Sequence, residues 1–241
     1  MDFYTLYWLL GLIMVPGIIL AVVAQTKVST TYNKMKQIGT EKGITANQVA
    51  REVLDNNDLT NISLTTTPHE LGDHYDPKNE IIALSPGVNG SSSIASVGIA
   101  MHEVGHALQD SQGYAFSRLR KFLVPVINFT SKMLWPLVII GMIFSFGGAS
   151  GSLFGDICLY SGIIFFGLNV LFSLITLPTE LDASKRAMKV LREQGYMNED
   201  ELANVKKVLS AAAMTYVASL LVSILNFLRF LLSVIMVINN E

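Results

Sequence analysis

The stretch ICLYSGIIFFGLNVLFSLITL, residues 157–177, runs for 21 positions without a charged side chain. Three other stretches resemble it. YTLYWLLGLIMVPGIILAVVA (4–24) carries no charge, FLVPVINFTSKMLWPLVIIGMIFSF (122–146) carries only Lys132, and AAAMTYVASLLVSILNFLRFLLSVIMVI (211–238) carries only Arg229. A helix needs roughly 20 apolar residues to cross the hydrocarbon core of a bilayer, and each stretch is long enough. The sequence therefore predicts four transmembrane helices rather than buried helices of a soluble core. A chain that is 51% hydrophobic and only 15% charged fits that reading.

Lysine and arginine set the expected orientation. Of 17 basic residues, nine fall in 25–121 and six in 178–210, with none in 147–156 or in either tail. Segments 25–121 and 178–210 are thus expected in the cytoplasm, with both termini and the short loop outside. AVVAQ (21–25) loosely resembles a signal-peptidase site, but the start MDFYTLYW lacks a basic region, so the first helix is expected as an uncleaved anchor. A net charge of −2 gives no reason to expect a nucleic-acid partner. The single cysteine, Cys158, excludes an internal disulfide and a cysteine-built zinc site. The expected organisation is a transmembrane helix over 1–24 and a cytoplasmic α+β domain over 25–121. Transmembrane helices 2 and 3 with a short outside loop follow over 122–177, then a cytoplasmic helical segment over 178–210 and a fourth transmembrane helix with its tail over 211–241. The fold class is mainly α, a multi-pass protein of the cell membrane whose partners are the bilayer and a substrate.

Between the first two spans, QTKVSTTYNKMKQ reads as a continuation of the first helix, broken near Gly39 and Gly43. ITANQVAREVLDNN (44–57) reads as a short amphipathic helix in which Thr45 and Gln48 form a capping box and Ile44 and Val49 a hydrophobic staple. ISLTTT (62–67) and EIIALS (80–85) read as strands joined by a polar loop. NGSSSIASVGIAMHEVGHALQDSQG reads as one helix, capped by a serine at 91–93 and ended near Gly113. LPTELDASKRAMKVLREQG reads as a separate helix that opens near Thr179 and closes at Gly195. Asn198 and Glu201 make a second capping box at the start of a helix that runs toward the fourth span.

His102, Glu103 and His106 form H-E-x-x-H. Positions i and i+4 share one face of a helix, so the two imidazoles can bind one Zn²⁺. Glu103 is the expected catalytic base, which takes a proton from a water polarised by the metal. The competing reading is a chance motif on a solvated helix. Catalytic zinc takes three protein ligands. A metzincin third histidine is ruled out, because Gln109 and Gln112 stand where glycine and histidine would be needed. His69, His74 and a carboxylate are left. Glu180, in PTELDASKRA, is the best placed of them, and the alternative for it is a favourable charge at a helix N-terminus.

AMHEVGHALQD, followed after two spans by LPTELDASKRA, resembles the YugP-type family of integral-membrane neutral zinc metallopeptidases, as do DHYDP (73–77) and IIALSPGV (81–88). The resemblance covers nearly the whole chain. It implies a zincin-like domain of the gluzincin type, with one zinc on His102, His106 and Glu180, with Glu103 as base and, from the general way such proteases bind peptides, with the strand at IIALS as an edge strand that pairs with an extended substrate. More distant relatives with E-x-x-x-D place an aspartate where this chain has Ser184. Asp182 is the candidate substitute, although i+2 puts it on another face of the helix. Asp110, one turn beyond His106, is a candidate to orient that ring. His74 and Tyr75 are candidates to contact the substrate or its oxyanion, His74 also as a fourth resting-state ligand, while His69 reads as a surface residue. Arg229, inside the fourth span, is a functional candidate or a snorkelling cation, and Lys132, Asn128 and Asn226 read as polar links between helices.

The expected function is a membrane-embedded zinc metalloprotease whose site faces the cytoplasmic membrane surface and whose substrate is a peptide or membrane protein. An intramembrane metalloprotease and a non-catalytic zinc-binding scaffold are the alternatives.

Overall fold

A computed structural model describes residues 3–146 and 153–239. The chain is mainly helical, with one small sheet. In order it forms α1 (Phe3–Leu12), α2 (Met14–Met35), α3 (Ala46–Asn56), β1 (Ser63–Thr66), β2 (His74–Asp76), β3 (Ile81–Leu84), α4 (Ile94–Ser111), α5 (Ala115–Phe146), α6 (Leu153–Glu193) and α7 (Glu199–Asn239). Four of these helices, α2, α5, α6 and α7, are long and apolar enough to cross a membrane. The first expected span is interrupted at Ile13. Pro16 has no N–H to offer the turn before it, and a break in that turn accommodates it.

The chain divides into two compact units. One comprises Met1–Val23, Leu119–Leu177 and Tyr216–Glu241, and the other Ala24–Arg118 and Pro178–Thr215. In the first, small residues let helices approach each other. A Cβ on Gly162 would lie 2.8 Å from Phe230 Cζ, and the hydroxyls of Ser173 and Ser223 meet at 3.1 Å. Arg229 and Asn226 line a cavity of about 150 Å³ with Trp135 and Phe230.

The second unit has a core of the kind built by amphipathic elements. Val49, Ala50, Val53 and Leu54 of α3 and Val97, Ala100, Met101, Val104, Ala107 and Leu108 of α4 repeat at helical spacing and are all buried together. Ile82 and Leu84 of β3, Ala187 and Leu191 of α6, and Leu202 and Val205 of α7 complete it. Local signals start the helices where the sequence places them. Gln48 Oε1 accepts from the Thr45 backbone N–H at 3.1 Å, Ser93 Oγ accepts from the Ser96 N–H at 3.2 Å, and Asn198 and Glu201 exchange two backbone-to-side-chain bonds of 2.9 Å. Gly113, at φ +64°, follows the end of α4.

Two expectations change here. The strand at 81–84 is not an edge. The sheet order is β1-β3-β2, with β1 parallel and β2 antiparallel to β3, so β3 is the centre and three of its four residues are buried. Its partner β2 forms inside the polar connection read as a loop, in the register Tyr75 to Ile82. Asp73 helps hold it there by accepting from the Ser85 N–H at 2.7 Å and the Ser85 hydroxyl at 3.1 Å. Likewise, no separate helix opens at Thr179. α6 runs unbroken through Pro178 to Glu193, so Glu180 sits in mid-helix, where no exposed helix N-terminus attracts its charge.

Candidate metal centre

α4 turns its apolar stripe to the core and carries His102 and His106 on another face, one turn apart. α6 meets α4 at Gly105, between the two histidines. A Cβ there would stand 2.4 Å from the Ala183 carbonyl oxygen, so only glycine allows this approach. It delivers Glu180, which is 2% exposed, to the two rings. Glu180 Oε2 lies 3.1 Å from His102 Nε2 and 3.4 Å from His106 Nε2. The rings are edge-to-face with centroids 4.7 Å apart, and one donor atom from each of the three residues falls within 4.8 Å of the others.

This donor set fits zinc. Bonds of 2.0–2.1 Å in a tetrahedron put neighbouring donors ~3.3 Å apart, close to the two separations found. Two imidazoles and one carboxylate leave a fourth position for water or substrate. A buried carboxylate facing two imidazole nitrogens at this spacing is a ligand arrangement whose like-sided donors a divalent cation satisfies.

The other ring nitrogens are anchored as metal-binding histidines require. His102 Nδ1 meets Ser184 Oγ at 3.1 Å, and His106 Nδ1 meets Gln109 Oε1 at 3.1 Å. The Gln109 amide cannot be turned round without loss. Its Nε2 donates to the Thr179 carbonyl at 2.7 Å and to Asp182 Oδ2 at 2.9 Å, so the oxygen must face His106. Nδ1 of His106 therefore carries a proton, and Nε2 is the ring nitrogen that faces Glu180. Asp182 is itself held by Arg186 Nε at 2.5 Å, and Arg186 also reaches Gln112. Burial opposes a charged His106, but the hydrogen bond to Glu180 and the charges of Glu103 and Glu180 outweigh it and raise the His106 pKa.

Glu103, 7% exposed, lies beside this cluster, and its carboxylate accepts no hydrogen bond from another described residue. Asp110 accepts the Tyr75 hydroxyl at 3.1 Å. Burial and that carboxylate push the Tyr75 pKa up, which keeps the phenol protonated. His74 is exposed, and its Nδ1 meets the Gly72 carbonyl at 2.8 Å; it is outside the three-residue donor group. His69 is exposed as well.

Gln109 and Ser184 were not singled out for these contacts by motif reading. One signal was available for Gln109: a long polar side chain three residues after His106, on a helix otherwise rich in apolar residues, must find partners if buried, and it is fully buried. For Ser184 the signal was its position, four residues after Glu180, where more distant relatives carry an aspartate; the structure gives the contact with a histidine to Ser184 itself, while Asp182 meets Gln109.

A family model described as "Putative neutral zinc metallopeptidase" matches residues 10–235. The curated "Putative membrane protease YugP" of Bacillus subtilis (strain 168) is 40% identical over 210 residues, which cover 87% of this chain and 89% of that protein. No solved structure matches. With a match that takes in three of the apolar helices, the sheet and every donor of the cluster, the chain belongs to the neutral zinc metallopeptidase family.

Proposed function

We propose that this protein is a membrane-anchored zinc endopeptidase of gluzincin type, with one zinc held by His102, His106 and Glu180 and with Glu103 as general base. One observation carries the reading: a buried glutamate 78 positions away in sequence converges on both imidazoles of the H-E-x-x-H helix. Bound there, the ion would polarise a water and a peptide carbonyl and bear the developing oxyanion charge.

The chain's own groups do the rest. Glu103, desolvated and uncommitted, accepts the proton of the attacking water on its carboxylate and returns it to the leaving amine. Gln109 and Ser184 fix both imidazoles so that each presents Nε2. Tyr75, held by Asp110, stays protonated and is the candidate donor to the oxyanion, and β2, an edge of the sheet, offers the open side for an extended substrate. The basic residues of 25–121 and 178–210 favour a cytoplasmic site with both termini outside, and a substrate that is a membrane protein or its juxtamembrane segment.

Glu103→Gln tests catalysis: peptidase activity should vanish while zinc stays bound, whereas unchanged activity removes the base and retained zinc without any activity in the wild type favours a scaffold. Glu180→Ala tests the ligand set by metal analysis, and full zinc stoichiometry in that variant rules Glu180 out. For orientation, a cysteine at exposed Lys78, in a chain with Cys158→Ala, should react with an impermeant thiol reagent only after the membrane is opened from the cytoplasmic side.

A further inference from the structure

We propose that a lysine-lined groove between α2 and α7 binds the phosphate of an anionic phospholipid headgroup. The groove has a volume of about 640 Å³. α2 contributes Lys27, Thr30, Thr31, Lys34 and Met35, and α7 contributes Ala203, Lys206, Lys207 and Ser210. The spacing is i, i+3, i+4, i+7, i+8 on α2 and i, i+3, i+4, i+7 on α7, so each set is one continuous stripe. Two facing stripes bring four ammonium groups to one opening, in a chain whose net charge is −2.

These cations are left uncompensated. Among the described residues, none of the four lies within 4.0 Å of a carboxylate. Lys27 instead reaches Met214 Sδ at 3.4 Å and Lys207 reaches Asn204 Oδ1 at 2.8 Å, both neutral acceptors. Elsewhere in the same unit, Arg51, Arg186, Lys189 and Arg192 have acidic partners, and the cations that lack one, such as Lys42, Lys78 and Lys185, are not gathered around a common volume with the groove lysines. Four like charges around one volume call for an anion, and the hydroxyls of Thr31 and Ser210 add neutral donors that suit phosphate oxygens. The chain itself points to a lipid as the source. Lys27 comes three residues after the uncharged run 4–24, and Lys207 comes four residues before the apolar run 211–238. Basic residues this close to a span meet the headgroup layer, where each adds to the attraction for anionic lipid.

The test is a titration of the purified full-length protein with dioleoylphosphatidylglycerol or dioleoylphosphatidylcholine, with retained lipid counted by native mass spectrometry. Wild type should retain the glycerol lipid well above the choline lipid. Lys27→Gln/Lys206→Gln should weaken that retention about thirtyfold, the loss expected from two charges at the headgroup layer. Lys27→Arg/Lys206→Arg should retain it, and so should Lys185→Gln/Lys189→Gln, which removes the same charge from exposed positions on α6. Equal retention of the two lipids would overturn the proposal, as would an equal loss in the α6 variant. Displacement of the glycerol lipid by millimolar inorganic phosphate would assign the groove to a free anion and overturn the lipid. None of these readings passes through peptidase activity.

Discussion

The two units spend their apolar residues in opposite ways. In the unit that carries the candidate metal centre, Leu54, Ile82, Leu84, Met101 and Leu191 are completely buried. In the other, Phe122, Phe129, Trp135 and Ile143 are 60–70% exposed. Both patterns satisfy the same rule under different solvents. Water drives leucine inward, while lipid tails are as apolar as leucine and leave packing to small residues and polar links. The comparison explains where chemistry is possible. Holding three donors within 4.8 Å takes a dense core behind them, and the site-bearing unit has one.

Several variants would break or sharpen this contrast. The largest effect is expected at Glu103→Gln, which should lower kcat by ~10²- to 10⁴-fold with zinc content and melting temperature unchanged. A parallel fall in melting temperature would make Glu103 a structural residue. Next, Leu54→Ala should cost about 2–5 kcal/mol of stability through the cavity it leaves, while Phe129→Ala in the spans should cost about 0.5 kcal/mol or less. Equal losses in denaturant unfolding would erase the distinction between the units. Gly105→Ala and Gly162→Ala pose the same question at closer range. The first drives a methyl into backbone 2.4 Å away, the second toward the tip of a phenylalanine at 2.8 Å. Gly105→Ala should therefore cost about 1–3 kcal/mol and weaken zinc binding, and Gly162→Ala should leave zinc binding as it is. Competition with a chelator separates the two.

Gln109→Ala should weaken zinc binding by about 10- to 100-fold, because His106 loses the acceptor that fixes its tautomer. Asp182→Asn should do less, since it touches His106 only through Gln109. A larger effect for Asp182 would reverse their order in the network. The smallest change is expected for Asn198→Ala, about 1 kcal/mol of stability with no effect on the metal centre.

Much was legible before any coordinates. The apolar runs announce four spans because a helix of about 20 apolar residues satisfies all its backbone N–H and C=O groups within one segment in lipid. Thr45, Ser93 and Asn198 announce helix starts, because a cap acts within three residues of itself. β2 escaped notice for the opposite reason. His74, Tyr75 and Asp76 carry no alternating apolar pattern, and they extend only because β3 lies alongside them. The unbroken α6 escaped too, since Pro178 is a strong local stop that packing overrides.

The sequence alone determined that two imidazoles share a helix face, because the period of the α-helix is a local property of the backbone. It also determined that the chain contains four segments suited to lipid. Only the tertiary structure decided that Glu180 is the carboxylate facing those imidazoles, that Gln109 rather than Asp110 holds His106 Nδ1, and that Ser184 holds His102. The first and last are meetings between α4 and α6 across 78 and 82 positions of chain, and the contact of Gln109 with His106, local to α4, is oriented by the bond of Gln109 to Thr179 of α6, 70 positions away. They depend on the close approach at Gly105, and a distance between two helices is written in no short stretch of residues.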